Sequence, residues 1–435
     1  WLLQPEQCEL VADKAPHYNP ASESIRGGSK LLENQAVCPF NAFATHRLKA
    51  EPLDEPIQGL SAMDRGSLIH EILFRLWTQW KTSAFLKSLA DHGFFSLGIS
   101  EEYGGLAAGM TEIALAMEAL CRGGAGGGPA LGYLFGTLGA NIINGNASPE
   151  QKQQYLPAMA AGESMCAFGL SEPDAGTNSL NMTTFAKKDG DDYVISGGKW
   201  YITNIERSDA IVLVARTKKN GDCARRSDGV SLFLVDLPCE GISFQPIPKH
   251  AYGYYKSHTV FLDEVRVPKE ALIGEEDKGF YQVLNTLNPE RILVAAGAIG
   301  IARLALKTAV DYANERTVFD QPIGAHQAVQ HPLAAAYAKL ETAWISVLYA
   351  ATMHDQGAPS TLVGEKANLA KYIAVEAAID ACYQSMQMHG GNGFAREYHV
   401  ERWWREVQLF RLAPVTQQMT LNFIGEHVLG MPKSY

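Results

Sequence analysis

Three stretches of the chain gather side chains that could do chemistry. The first is Phe168-Gly169-Leu170-Ser171-Glu172-Pro173-Asp174-Ala175-Gly176-Thr177-Asn178. Small residues, hydroxyls and turn formers in one loop expose backbone N–H groups and hydroxyl donors, which suits a ring system rich in acceptors. An ordinary turn between domains has the same composition. The second is Lys199-Trp200-Tyr201-Ile202-Thr203-Asn204. Adjacent aromatics followed by a hydroxyl can back a flat cofactor and give it one hydrogen bond. A β-strand with core aromatics is the plain alternative. The third is Gln387-Met388-His389-Gly390-Gly391-Asn392-Gly393-Phe394. Glycines after a long helix let another backbone or a ligand approach closely. A glycine helix stop would look alike, and the glutamine and histidine just before it tilt the reading towards ligand contact.

The elements that must position these stretches fall into three textures. Residues 81–162 read as helical: Phe85, Leu86, Leu89 and Ala90 repeat at helical spacing, Gly93 stops that helix, and Met110–Leu120 is again amphipathic. Ser148-Pro149-Glu150-Gln151 has the pattern of an N-cap with proline at the first helical position. Residues 163–275 are β-rich, with runs at Asp192–Ser196, Ala210–Ala215, Val230–Leu237, Ile242–Ile247 and Thr259–Val265 separated by turn formers. Residues 276–435 turn helical again. Ile292–Arg316, Pro332–Gln356 and Ser360–His389 are long and alanine-rich, and Tyr398–Val428 continues the pattern, which predicts a four-helix bundle. No βαβ alternation occurs, so a doubly wound dinucleotide fold is disfavoured. The glycine run Gly123–Gly128 follows a helix rather than a strand, and reads as a flexible loop rather than a phosphate cradle.

Composition narrows the function classes. Hydrophobic residues at 46% and charged residues at 19% support a globular core. A formal net charge of -10 argues against a general nucleic-acid binder. The cysteines are odd in number and form no C-x-x-C pair, so a disulfide framework or structural zinc site is not expected, no metal is called for, and a reduced cytoplasmic setting is the simpler reading. No apolar run reads as a bilayer span, and Trp1-Leu2-Leu3-Gln4 lacks the basic start of a secretory signal.

Taken together and in this order, the motifs resemble the acyl-CoA dehydrogenase family. The likeness runs from about Lys81 to Tyr435 and includes Ile99–Gly105, Phe168–Asn178, Trp200–Asn204, Asp263–Pro268, Glu315–Gly324 and Gln387–Phe394. It implies an α+β multidomain fold with an N-terminal helical domain, a central β-barrel domain and a C-terminal four-helix bundle. It also implies FAD, and oxidation of an acyl-CoA to its 2,3-enoyl form. By motif, Phe168, Leu170, Ser171, Gly176 and Thr177 are expected along the flavin and its chain, with Tyr201 and Thr203 over the ring. Arg316, Phe319, Gln327, Gln387 and Gly391 are expected to reach the FAD of a neighbouring subunit, and Thr416 and Gln418 match the last FAD-contacting segment. Sharing of this kind implies a homodimer or homotetramer, and an electron-transfer flavoprotein is the expected acceptor.

The reaction needs a carboxylate to remove the α-proton, with a pKa raised towards neutrality by a dry pocket. Most family members carry it near the C-terminus, where this chain has Leu412-Ala413-Pro414-Val415-Thr416, and Pro414 cannot move a proton. A second family position lies directly before an arginine on the first helix of the bundle. Glu290 fills it in Asn288-Pro289-Glu290-Arg291, with Arg291 as a structural or substrate-pocket residue. Leu293, Val294, Gly297 and Ile301 follow on the same helix, so burial would raise the Glu290 pKa. Glu172 is expected to scaffold its loop. A catalytically inactive flavoprotein relative is the alternative that Pro414 keeps open.

Residues 1–80 do not match that family's opening helix. Cys38-Pro39-Phe40-Asn41-Ala42-Phe43 and Arg65-Gly66-Ser67-Leu68-Ile69-His70 resemble the entry to a RecB-type PD-(D/E)xK nuclease, without the metal-binding carboxylates that must follow. The expectation is a foreign, non-catalytic fragment fused to the dehydrogenase, whose Ile69–Trp80 stretch could replace the missing helix. A DNA-associated protein acting through this fragment is a third reading, disfavoured by the negative charge.

Overall fold

The Ser148 hydroxyl accepts the Gln151 N–H, and the Gln151 side chain returns to the Ser148 N–H, closing a capping box ahead of Pro149. In this computed structural model, which describes residues 83–433, that box opens α4 (Pro149–Ala160). The nuclease-like segment lies outside the described residues. Before α4 come α1 (Ser83–Asp91), ended by Gly93 with φ 72, then α2 (Met110–Leu120) and α3 (Gly127–Asn146). The glycine run between α2 and α3 corrects the sequence reading. It is neither a flexible loop nor a phosphate cradle: the chain passes through a π-turn (Cys121–Ala125) straight into α3. A Cβ on Gly126 would lie 2.6 Å from the Trp403 ring, and the Gly127 N–H donates to the Glu406 carboxylate at 3.1 Å. Bare backbone is needed there because the chain's own C-terminal part packs onto it.

The central domain is an eight-stranded sheet in the order β6-β7-β3-β2-β4-β5-β8, with β1 beside β4. Its strands are β1 (Cys166–Gly169), β2 (Phe185–Asp189), β3 (Asp192–Thr203), β4 (Ala210–Arg216), β5 (Val230–Asp236), β6 (Ile242–Ile247), β7 (Ser257–Val267) and β8 (Leu272–Ile273). Strand β4 explains its own continuous apolar run. Val212 and Val214 enter one core cluster while Ile211 and Leu213 enter another, so both faces are buried. Strand β3 extends past the expected Ser196 to Thr203, bulging between Ile195 and Gly197 and between Lys199 and Ile202. Strand β1 is too short, at four residues, to show a period, and β2 is more than half polar, so neither was legible in the sequence.

Helix α5 (Gly279–Glu315) leads the bundle. A two-stranded hairpin, β9 (Thr317–Val318) and β10 (Gln321–Pro322), joins it to α6 (Gln327–Asp355), followed by α7 (Ser360–His389). Helix α5 starts thirteen residues before the predicted Ile292 and absorbs Pro289, which costs one backbone hydrogen bond but not the helix. The fourth member is broken into α8 (Val400–Val407), α9 (Leu409–Leu412) and α10 (Gln417–Phe423) around Pro414, whose missing N–H cannot continue a helix. Helix α5 also corrects the reading that no run could span a bilayer. It is long and apolar enough by composition, yet 78% of its most apolar window is buried within the protein. It is the bundle's core helix, packing Ile292, Ile299 and Ile301 against residues such as Ile113 and Met117 of α2 and Val347 of α6. Each such buried side chain stabilises by roughly 1.5–3 kcal/mol. The described cysteines, Cys121, Cys166, Cys223, Cys239 and Cys382, form no disulfide with one another.

Candidate active site

Strand β1 ends at Gly169, and the loop after it is clamped onto β3. Lys199 is fully buried, and its Nζ donates to Glu172 Oε1 at 2.8 Å and to the Leu170 carbonyl at 3.2 Å. Glu172 also accepts the Thr183 N–H at 2.6 Å, the Thr183 hydroxyl at 2.9 Å and the Thr184 N–H at 3.0 Å. Burial alone would raise the Glu172 pKa. Lys199 and the threonine donors outweigh it and hold the carboxyl at about 2. Burial pulls Lys199 down to about 8 despite its carboxylate, so both groups are charged at neutral pH. The Trp200 N–H donates to the Ser171 carbonyl at 2.8 Å. Two sequence motifs thus become one rigid unit, and Glu172 is its brace, as expected.

That unit presents the expected cofactor residues outwards. Phe168, Leu170 and Ser171 are half-buried, and Gly176 and Thr177 are exposed. Tyr201 has φ 59 and is 54% exposed, whereas Ile202 beside it is buried. A left-handed tyrosine held in solvent is not a core aromatic, which settles the plain alternative for this position. Thr203 is half-buried, with its hydroxyl 3.4 Å from that of Ser257.

Glu290 lies in a polar island where α5 packs along α7. It is half-buried, and the surrounding protein desolvates it enough to raise its pKa to about 7 against the pull of Arg291 and Lys371. No hydrogen bond to its carboxylate exists among the described residues. Arg291, 8% exposed, turns away: its Nη1 donates to Asn288 Oδ1 at 2.6 Å, and its Nε has no acceptor. Burial draws Arg291 down to about 10. Lys371 is 1% exposed and donates to the Val415 carbonyl in the loop after Pro414. Burial, with Arg291 nearby, takes it down to about 8. Asn368, one turn before Lys371, keeps an unpartnered Oδ1. The sequence reading missed Lys371 and Asn368. Their signal was a lysine on a helical stripe otherwise made of Ala367, Ala370, Ala374 and Val375.

The remaining predicted residues gather on the bundle surface. Arg316, Phe319, Gln327, Gln387 and Gly391 are all exposed, Phe319 by 86% and with φ 53. Tyr312 joins their segments: its ring stacks on His389 at 4.3 Å, and its hydroxyl accepts from Asn392 at 3.1 Å. His389 is buried in this packing, its Nδ1 bonded to the Ser385 carbonyl and its Nε2 without a partner among the described residues. Thr416 caps α10 by accepting the Met419 N–H at 3.3 Å, and Gln418 is exposed. The donor set fits a flavin dinucleotide. Exposed aromatics at Tyr201 and Phe319 offer flat apolar faces. Ser171, Thr177 and Thr203 offer hydroxyls, and a Cβ at Gly176 or Gly391 would meet nothing within 4 Å, leaving the backbone there open to approach. A cleft of about 500 Å³ lies at the start of α5, lined by Arg225, Asp228, Glu275, Lys278, Tyr281, Gln282 and Asn285.

Comparison with known proteins agrees with this architecture. The chain matches the acyl-CoA dehydrogenase N-terminal domain over residues 73–163, the middle domain over 167–265 and the C-terminal domain over 277–429. It is 40% identical over 343 residues to the acyl-CoA dehydrogenase FadE12 of Mycobacterium tuberculosis, covering 79% of this chain and 87% of that one. It is 34% identical to the caffeyl-CoA reductase-Etf complex subunit CarC of Acetobacterium woodii, over 79% of this chain and 89% of CarC. Butyryl-CoA dehydrogenase from Megasphaera elsdenii superposes with a TM-score of 0.77 at 27% identity, over 87% of this chain and all of that one. The chain belongs to the acyl-CoA dehydrogenase family, and it is an oxidoreductase.

Proposed function

We propose that the chain is an FAD-dependent acyl-CoA dehydrogenase in which Glu290 is the catalytic base. The observation that carries this reading is the half-buried Glu290 carboxyl, raised to about 7 by burial and accepting no hydrogen bond among the described residues. A base poised near the working pH is what α-proton abstraction from a thioester requires. FAD, when bound, supplies the two-electron acceptor for the hydride that leaves the β-carbon. Glu290 takes the α-proton onto a carboxylate oxygen, and the electrons of that C–H bond become the α,β double bond. Phe168 to Thr177 with Tyr201 and Thr203 hold the cofactor in this reading, and Thr416 and Gln418 complete the site. Arg225 and Lys278 in the cleft at the start of α5 suit the phosphates of coenzyme A. Tyr281 lies nine residues before Glu290, or about 13 Å along the helix at ~1.5 Å per residue, a span that a pantetheine arm can cover.

The exposed cluster around Phe319 and Gly391 is the surface on which a second subunit would complete the cofactor site, in a homodimer or homotetramer. An electron-transfer flavoprotein is the acceptor, a reading supported by the Etf-linked relative. Anaerobic visible titration of the purified protein with a panel of saturated acyl-CoAs tests the whole reading. A bound-flavin spectrum that bleaches with one of them is the expected result. An unbleached flavin across the panel would favour an inactive relative, for which Pro414 is the argument, and absence of flavin would overturn the cofactor assignment.

A further inference from the structure

A lysine without a counter-ion bonds into the strand pair that carries Thr203. Lys249, two residues past the end of β6, is half-buried. Its Nζ donates to the Tyr255 carbonyl at 2.7 Å and to the Ser257 hydroxyl at 2.8 Å, and no carboxylate pairs with it among the described residues. Lys256 close by, in contrast, has Glu206 at 3.0 Å. Burial draws the Lys249 pKa down to about 8, which leaves it mostly charged at neutral pH. Ser257 is 4% exposed and opens β7 directly opposite Thr203 of β3, with the two hydroxyls 3.4 Å apart. Lys249, Ser257 and Thr203 thus form a line of three polar groups. It ends two residues from Tyr201, the exposed left-handed residue of the cofactor motif.

The chemistry of the three groups gives the line a direction. An ammonium only donates, so Ser257 Oγ accepts from Lys249 and keeps its own proton to give. Thr203 Oγ1 is placed to accept that proton, which turns the Thr203 O–H away from Ser257 and frees it to donate. We propose that Lys249 and Ser257 are positioning residues: they orient the Thr203 hydroxyl as a donor to the flavin ring, and the positive charge at the head of the line favours the ring's reduced form. The inference rests on the reading of Thr203 as a contact of that ring. The missing counter-ion supports it. A partly buried ammonium without a carboxylate is costly, and the cost is offset when the group at the far end of the line gains negative charge, as a flavin does on taking up an electron pair. Hydrogen bonds in a chain polarise one another, so the charge is felt at Thr203. Without the lysine, either hydroxyl of the Ser257–Thr203 pair could be the donor.

The test is the midpoint potential of the bound flavin in the full chain, measured by spectroelectrochemical titration without substrate. Lys249→Met removes the charge and its donors. Ser257→Ala cuts the line but leaves Lys249 its bond to Tyr255. Each is expected to weaken the preference for reduced over oxidised flavin about tenfold, which lowers a two-electron potential by about 30 mV. The double variant should fall no further than the larger single effect, since both residues act through one line. An unmoved potential in flavin-loaded Lys249→Met overturns the proposal. So does a potential that moves in Lys249→Met but not in Ser257→Ala, because the charge would then act through space and not through the hydroxyls. Should Lys249→Met lose its flavin, the Ser257→Ala potential decides alone. If both lose flavin with a lowered Tm, the proposal is overturned, and the contacts serve only to hold β3 and β7 together. Thr203→Val separates the reading beneath. A shifted potential there, with Lys249→Met and Ser257→Ala unmoved, keeps Thr203 at the ring and removes only the line behind it. An unmoved potential and spectrum in Thr203→Val would mean that Thr203 does not touch the ring at all.

Discussion

Two buried lysines, Lys199 and Lys371, each act on a glutamate, and the two arrangements behave in opposite ways. Lys199 and Glu172 meet directly at 2.8 Å, and three further donors from Thr183 and Thr184 complete the carboxylate, which is held at about 2. Lys371 acts on Glu290 through charge alone and gives its hydrogen bond to Val415, Arg291 gives its own to Asn288, and the carboxylate is left at about 7. Burial opposes the charged form of the acid in both. What differs is hydrogen bonding to the charged form, which adds to the Lys199 charge in the first and is missing from the second. The first pair is a brace that keeps the cofactor loop on β3. The second is a carboxylate whose neighbours compensate its charge without occupying its oxygens, so those oxygens remain available for a proton.

The largest effect should come from removing the reactive member. Glu290→Gln preserves size but cannot accept the α-proton. Turnover should fall by about 10²–10⁴-fold, the usual contribution of a positioned base, with flavin content unchanged. Stopped-flow bleaching of the flavin by substrate measures the step itself. Near-normal bleaching would place the base elsewhere and erase the functional side of the contrast.

The equivalent change in the brace should act on stability. Glu172→Gln leaves the Lys199 ammonium buried without its counter-charge, and breaking such a pair typically costs about 3–5 kcal/mol. A lowered Tm and weaker flavin retention are expected, with the protein that does retain flavin still bleaching. The pH dependences have opposite signs. The stabilisation from Glu172 is fully present above 4.5, the ordinary value, and is lost as pH falls through about 2. Glu290, whose folded value is raised, favours the fold most below 4.5, and that contribution is lost as pH rises through about 7.

These same two regions show what the sequence could reveal. The brace loop was legible as a motif, and Glu172 as scaffolding, because loop composition and local order are written in neighbouring residues. Glu290 was legible only because the arginine after it and the missing carboxylate at Pro414 pointed to one place. Lys371 and Asn368 were not, since their meaning depends on α7 packing against α5, and a lysine on an alanine stripe does not say which helix it will face. The glycine run before α3 failed for the same reason: the residues that need it bare, Trp403 and Glu406, are some 280 positions away. Helix α5 was cut short by reading Pro289 as a boundary, where burial of the helix outweighed one lost hydrogen bond.

A third expectation follows from the Glu290 value alone. Proton abstraction needs the ionised carboxylate, so kcat/KM should decline below about pH 7, approaching tenfold per unit further down. A profile flat to pH 5 would mean that the base is as fully hydrogen-bonded in solution as Glu172 is here.

The smallest effect concerns the residue that keeps Arg291 away. Asn288 Oδ1 accepts the Arg291 Nη1 hydrogen bond at 2.6 Å, which leaves the guanidinium adjacent to Glu290 in sequence but not bonded to it. In Asn288→Ala the guanidinium loses that acceptor, and the nearest carboxylate able to replace it is Glu290. A direct pair would make the second site resemble the first, so the Glu290 pKa should fall by up to about one unit, or ~1.4 kcal/mol. The acid limb of kcat/KM would move down while the maximal rate drops, because a carboxylate engaged by Arg291 is a weaker base. An acid limb that stays in place with a normal rate would show that backbone packing of α5 alone holds Arg291 apart. The difference between the two glutamates would then reside in helix geometry rather than in this one amide.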